Sequence, residues 1–158
     1  MPSFVDVTLE HAFDVTIFFG ADRTIFGPIP GGARQGYTPP IGGTISGPLL
    51  NGEVVPHSGA DYATVRADGV IELNAHYLLK ADDGTLIYIN NRGYLVPAVP
   101  GTDRVNDQGL SQPLYFRFTP YFRAPEGPHE WLNNTCLVGG GERRTDPDHS
   151  LFRYFAVR

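Results

Sequence analysis

The chain has little of what a disulfide scaffold, a metal centre, a membrane span or a nucleic-acid surface requires. Its single cysteine, Cys136, cannot close an internal disulfide, and one thiol suits a reducing compartment. Cys136 sits in the apolar run Leu132 to Val138, so a buried structural thiol is expected. The five histidines, His11, His57, His76, His129 and His149, are far apart and none has metal-ligand spacing; no metal and no other cofactor is expected. No apolar stretch approaches the roughly 18 residues of a membrane span. Met1 to Asp6 has no basic stretch leading into an apolar run, so no secretory signal is read there and a cytoplasmic location is the expectation. On that reading the sequon at Asn133 to Thr135 is a chance match. Twelve Lys and Arg stand against seventeen Asp and Glu, giving a net charge of -5. Phosphate binding needs clustered cations, and these are scattered, so neither nucleic acid nor an anionic membrane is an expected partner. There is no Gly-x-Ser-x-Gly elbow and no phosphate-binding loop.

Helical periodicity is also missing. No window holds a period of 3.6, and only short helical turns are expected, near Asn106 to Ser111 and Gly127 to Trp131. What the chain has instead is punctuation: 19 glycines and 14 prolines between short β-branched and aromatic runs. Phe4 to Leu9 alternates, Asp14 to Phe19 is a compact β run, and Thr38 to Ile45 is extended. Tyr62 to Ala67 stops at the turn signal Asp68-Gly69. Val70 to Lys80 and Thr85 to Asn90 flank Asp82-Asp83-Gly84 and read as an antiparallel hairpin. Leu114 to Thr119, Leu132 to Val138 and Leu151 to Val157 complete about eight to ten strands. Gly20 to Tyr37 and Pro97 to Pro113 read as long loops, and Gly139-Gly140-Gly141 as a flexible turn. The fold class is therefore all-β. The expected architecture is one antiparallel β-barrel with little helix, spanning residues 1–158 as one domain. A barrel of about eight strands can hold one small ligand.

Candidate chemistry is sparse. Asp61 follows the glycine-rich run from Gly42 through Ser58-Gly59-Ala60, where glycine permits close backbone approach. It is either a turn carboxylate or a general base whose pKa an apolar lumen would raise. On the hairpin strand, Ile71, Leu73, Ala75, Tyr77 and Leu79 share one face, and Glu72, Asn74, His76, Leu78 and Lys80 the other. Asn74 and His76 are either solvent-facing or the polar tip of a cavity, where an imidazole could move a proton near neutral pH. In Tyr115 to Thr119 the alternation groups Tyr115, Arg117 and Thr119. Arg117 then reads as an ion-pairing wall residue or as a clamp on a substrate carbonyl or carboxylate. Arg66 shares a face with Tyr62, Arg92 ends the return strand, and Trp131 shares a face with Asn133. Each could rim a pocket or belong simply to the wall.

These residues resemble a known pattern. The run Gly47 to Gly52, then Ser58 to Tyr62, Arg66, Asp68-Gly69, Asp83-Gly84, Tyr115 to Arg117 and Trp131 to Asn133, resembles the bacterial and fungal family catalogued as domain of unknown function 3237. The likeness covers nearly the whole chain in order. It implies a small barrel like those of calycins and allene oxide cyclases, and by fold analogy raises the expectation of cyclisation or isomerisation. Two departures stand out. The family usually carries an aspartate and an arginine where this chain has Asn74 and His76, and often tryptophan where it has Tyr62.

The expected activity is cofactor-independent proton transfer on a small, largely apolar carbonyl compound, of isomerase, cyclase or lyase type. Asp61 or His76 is the expected base and Arg117, helped by Arg66 or Asn133, the oxyanion donor; Tyr62, Asn74, Tyr77, Arg92 and Trp131 are the expected pocket residues. A carrier or sensor of a hydrophobic small molecule is the alternative from another class, and a structural subunit with a filled barrel is the third. The aromatic-rich strands suggest a homo-oligomer.

Overall fold

The computed structural model describes residues 3–98 and 113–158. Its strands are β1 (Leu9–Phe19), β2 (Thr24–Phe26), β3 (Arg34–Tyr37), β4 (Pro40–Ser46), β5 (Gly52–Val54), β6 (Ala60–Asp61), β7 (Thr64–Val65), β8 (Ile71–Ala81), β9 (Leu86–Val96), β10 (Tyr115–Arg123), β11 (Leu137–Arg144) and β12 (His149–Val157). One short 3-10 helix, Glu130–Asn133, lies among them. Eight strands close an antiparallel barrel in the order β8-β5-β4-β1-β12-β11-β10-β9, with β9 returning to β8. The all-β barrel expected from the sequence is the fold found.

Alternation explains the closure. Inward residues come every second position: Phe13, Val15 and Ile17 on β1, Leu73 to Leu79 on β8, Phe116, Phe118 and Phe122 on β10, and Phe152 and Tyr154 on β12. Their rings interlock. Phe118 lies 4.7 Å from Phe152 and 5.3 Å from Tyr154 between centroids, and Phe13 lies 5.1 Å from Tyr154. These rings and Leu132 of the 3-10 helix fill the middle and one end of the barrel.

Several local expectations are corrected. Gly139 to Gly141 is not a flexible turn but the body of β11. A Cβ on Gly139 would meet the Phe118 ring at 2.2 Å, and one on Gly141 would meet Phe152 at 2.8 Å, so the strand omits side chains where the aromatic core needs the room. Gly20 to Tyr37 is not a plain loop: β2 and β3 pair there as a hairpin. Tyr62 to Ala67 contains only the two-residue β7, and Phe4 to Val7 precede the first strand. The strand expected over Leu132 to Val138 begins only at Leu137, because the 3-10 helix occupies the residues before Asn134. Cys136 is exposed, outside the inward phase that starts at Leu137. The expected turn at Asn106 to Ser111, and most of the loop Pro97 to Pro113, lie outside the described residues.

Candidate functional site

The long strand β8 meets three short partners in succession along one edge: β5 at Val54–Leu79, β6 at Asp61–Ala75 and β7 at Val65–Ile71. The breaks between these partners set Asp61 where the ladder is interrupted. Its backbone pairs with Thr38 in both directions at 2.9 Å, and its Oδ1 accepts the Asn74 N–H at 2.9 Å. Gly59 makes the approach feasible: a Cβ there would lie 1.8 Å from the His76 carbonyl oxygen.

Asp61 borders an interior cavity of about 70 Å³ at the unfilled end of the barrel. That volume is several times the roughly 10–15 Å³ that one water needs. The walls are mainly apolar, including Ile17, Val65, Leu73 and Leu95, with Tyr77, Asn91, Ser150 and Arg143 as polar members. Burial pushes the Asp61 pKa up to about 6; the Asn74 N–H, then the charges of Arg143 and Arg23, hold it from rising further. Arg23 Nη1 donates to Asp148 Oδ2 at 2.7 Å and Arg143 Nη2 to Asp148 Oδ1 at 3.3 Å. Both guanidiniums lie over the Phe19 ring, at 5.8 and 5.4 Å from its centroid.

Two further polar groups face this space. Asn91 is 1% exposed and its Oδ1 has no hydrogen-bond partner among the described residues. Tyr77 is 2% exposed, and its hydroxyl likewise lacks a partner of normal geometry, although the Tyr154 hydroxyl lies near it. Burial, with a smaller push from the Asp61 charge, drives the Tyr77 hydroxyl well above its ordinary range, so it stays protonated.

Of the residues singled out from sequence, Asp61 and Tyr77 come together in this cavity; the others lie elsewhere. His76 and Asn74 are on the outer face of β8, because the Leu73-Ala75-Tyr77 face is the inner one. His76 Nδ1 bonds the Tyr88 hydroxyl, its Nε2 is 3.0 Å from Asn74 Oδ1, and Asn90 Nδ2 donates to that same oxygen at 3.1 Å. Arg117 is also outside. It donates from Nη1 to the Phe116 carbonyl at 2.9 Å and lies over Gly140. Arg66 pairs with Asp68 at 2.6 Å and Glu72 at 3.5 Å. Tyr62 is 49% exposed against Tyr37, and Arg92 points into solvent. Trp131 packs on the closed end of the core. Asn133 latches that end: its Oδ1 accepts from Ala124 N at 2.9 Å, and its Nδ2 donates to the Ala124 and Glu130 carbonyls.

Arg23, Asn91 and Arg143 are the site residues that motif reading passes over. Arg143 was legible in phase: counting by twos from Leu137 gives Gly139, Gly141 and Arg143 on the inner face. Asn91 follows Ile87 and Ile89 in the same way.

A larger, open depression of about 930 Å³ lies on the outer wall over Gly139 to Gly141. Asp14 pairs there with Arg153 at 2.9 Å and Glu142 with Arg144 at 2.9 Å, Arg117 donates to the Phe116 carbonyl, and the depression opens broadly to solvent, unlike the interior cavity. Among the described residues no group of three His, Cys, Asp or Glu could hold a metal ion, and no helix is long and apolar enough to cross a membrane.

Residues 7–157 match the family model described as protein of unknown function (DUF3237). The chain belongs to this family. A UPF0311 protein of Rhodopseudomonas palustris (strain TIE-1) is 32% identical over 143 residues, covering 88% of this chain and 92% of that protein. A solved protein of unknown function from Clostridium acetobutylicum ATCC 824 superimposes with a TM-score of 0.83 at 30% identity, over 99% of this chain and 100% of its own. A solved structure described as an enzyme from Penicillium herquei shares the fold with a TM-score of 0.70 at 21% identity, over 100% of this chain and 99% of its own. DUF3237 thus supplies the barrel and its register, and one protein of the same fold is called an enzyme.

Proposed function

We propose that this DUF3237 barrel is an enzyme that moves a proton on a small, largely apolar carbonyl compound held in the interior cavity, without a cofactor. The observation that carries this reading is Asp61: a carboxylate at an apolar cavity with a pKa of about 6. Such a group is ionised at neutral pH yet basic enough to take a proton from carbon next to a carbonyl. Oδ1 is held by the Asn74 N–H, which leaves Oδ2 for the substrate. The protonated Tyr77 hydroxyl is the donor for the oxygen on which negative charge develops. Return of the proton to another carbon is isomerisation; loss of a leaving group is elimination; attack of an internal nucleophile is cyclisation. His76 and Arg117, on the outer wall, take no part in this arrangement.

The test needs no knowledge of the natural substrate. Cyclohexanone in D2O exchanges its α-hydrogens by this step, and proton NMR follows the exchange. Wild type should accelerate it above buffer, with a midpoint near pH 6, and Asp61→Asn should fall to the buffer rate. Equal rates for wild type and Asp61→Asn would sink the proposal. The cavity keeps a carrier of a small apolar molecule as the second reading, which the same experiment separates: binding would persist with no exchange.

A further inference from the structure

One unpartnered buried polar atom among the cavity's lining residues belongs to a residue with no part in the proton transfer described above. Asn91 is 1% exposed, lines the cavity from β9, and its Oδ1 meets no donor among the described residues. A buried acceptor without a donor costs stability, about 1–3 kcal/mol for a typical group. A leucine would fill a similar volume without that cost. The fold therefore gains nothing from that oxygen, whereas a ligand can.

Register fixes where that ligand would lie. Asp61 pairs with Ala75 across β6 and β8, and Ala75 pairs with Asn91 across β8 and β9. The three form one rank around the wall, all bordering the cavity. Asp61 and Asn91 are two strand spacings apart, about 10 Å between Cα atoms. The residue between them is alanine, so nothing large separates the two side chains. A small molecule lying along this rank can touch both.

We infer that Asn91 is a specificity residue for a hydroxyl group, so that the molecule taken into the cavity is a hydroxylated carbonyl compound. Its hydroxyl donates to Asn91 Oδ1, while its carbonyl and acidic carbon face Tyr77 and Asp61. A hydroxyl fits the requirement because it supplies the donor the amide oxygen lacks. An ether, ketone or carboxylate oxygen supplies none. The assignment of the carbonyl end rests on the proposed function; the assignment of the hydroxyl does not.

The pair phenol and toluene tests it, since they are close in size and differ by the hydroxyl. Affinities are read by ligand-observed NMR on the full chain. Wild type should bind phenol at least about tenfold more tightly than toluene, as sites built around a buried polar group do. Asn91→Leu should reduce that ratio to about twofold or less, and its melting temperature should rise by about 2–4 °C as the buried orphan is removed. His76→Ala, on the outer wall, should keep the wild-type ratio. An Asn91→Leu protein that melts lower than wild type or does not fold would make the amide a support of the fold and overturn the inference. So would a wild type that does not discriminate, or a preference kept in full by a folded Asn91→Leu protein. Failure of cyclohexanone exchange with an intact phenol preference removes the enzyme and leaves the hydroxyl site; the converse removes the hydroxyl site alone.

Discussion

Asp61 and Asn91 stand in one rank of the barrel wall with only Ala75 between them. The barrel puts an alanine on the inner face of β8 where two polar residues flank it, and that choice makes room for a ligand.

Ala75→Leu should therefore abolish function while sparing the fold. The added carbons enter the cavity rather than the packed centre, so the cost stays in the lower part of the ~1–3 kcal/mol that overpacking brings, about 2 kcal/mol at most in a urea unfolding curve. Cyclohexanone exchange should drop to the Asp61→Asn background and phenol binding should be lost. Retained exchange in a folded Ala75→Leu protein would show that the reaction lies elsewhere.

Asp61 also predicts how stability depends on pH. Its folded pKa, about 6, is raised above the ordinary carboxylate value of 3.8. Between those values the folded state binds more protons than the unfolded one. The stability linked to this proton is fully present below about pH 4 and is lost as pH rises through 6. The full effect is at most about 3 kcal/mol, less where water reaches the carboxyl. Asp61→Asn should remove this component. Urea unfolding at pH 4.5 and 7.5 should show the variant gaining on wild type by about 1–3 kcal/mol at the higher pH. A gain that does not grow with pH would mean the carboxyl is not perturbed by burial.

His76 gives the opposite expectation. Its ring is tied to Asn74, Tyr88 and Asn90 on the outer wall, so His76→Ala should cost about 1 kcal/mol of stability by loss of those bonds. The exchange rate should stay within about twofold of wild type. A drop as large as that of Asp61→Asn would require His76 to reach the cavity through a different register of β8.

This contrast shows what the sequence could and could not tell. The two faces of β8 were separable by alternation alone, and so was the hairpin with β9. Which face lines the interior was not, because one face carries Leu73, Ala75 and Tyr77 and the other carries the more chemically suggestive Asn74 and His76. Motif reading followed the chemistry. Packing followed apolar area, which put Asn74 and His76 outside. The same bias hid Asn91 and Arg143: Asn91 interrupts the inward series Ile87, Ile89 to Leu95, and Arg143 ends the one from Leu137, so phase is informative where residue type misleads. Pairings such as Asp61 with Ala75 arise only when sequence-distant strands meet, and no local pattern encodes them.

The glycine before Asp61 ties local geometry to the carboxyl's chemistry. A Cβ at Gly59 would lie 1.8 Å from a backbone oxygen of β8, a contact that no rotamer change can relieve. Gly59→Ala must push β6 off β8, at a cost of roughly 2–4 kcal/mol. The same movement takes Asp61 Oδ1 away from the Asn74 N–H. That bond favours the charged form, so its loss raises the Asp61 pKa above 6. His57, two residues earlier, is the control. It holds a left-handed φ of 58°, so His57→Gly should be neutral or stabilising by up to about 1 kcal/mol. Carbon-detected NMR titration of the Asp61 carboxyl should show a midpoint shifted upward in Gly59→Ala and unchanged in His57→Gly. A midpoint unmoved in a folded Gly59→Ala protein would mean that the glycine serves the chain's path only, and not the carboxylate it presents.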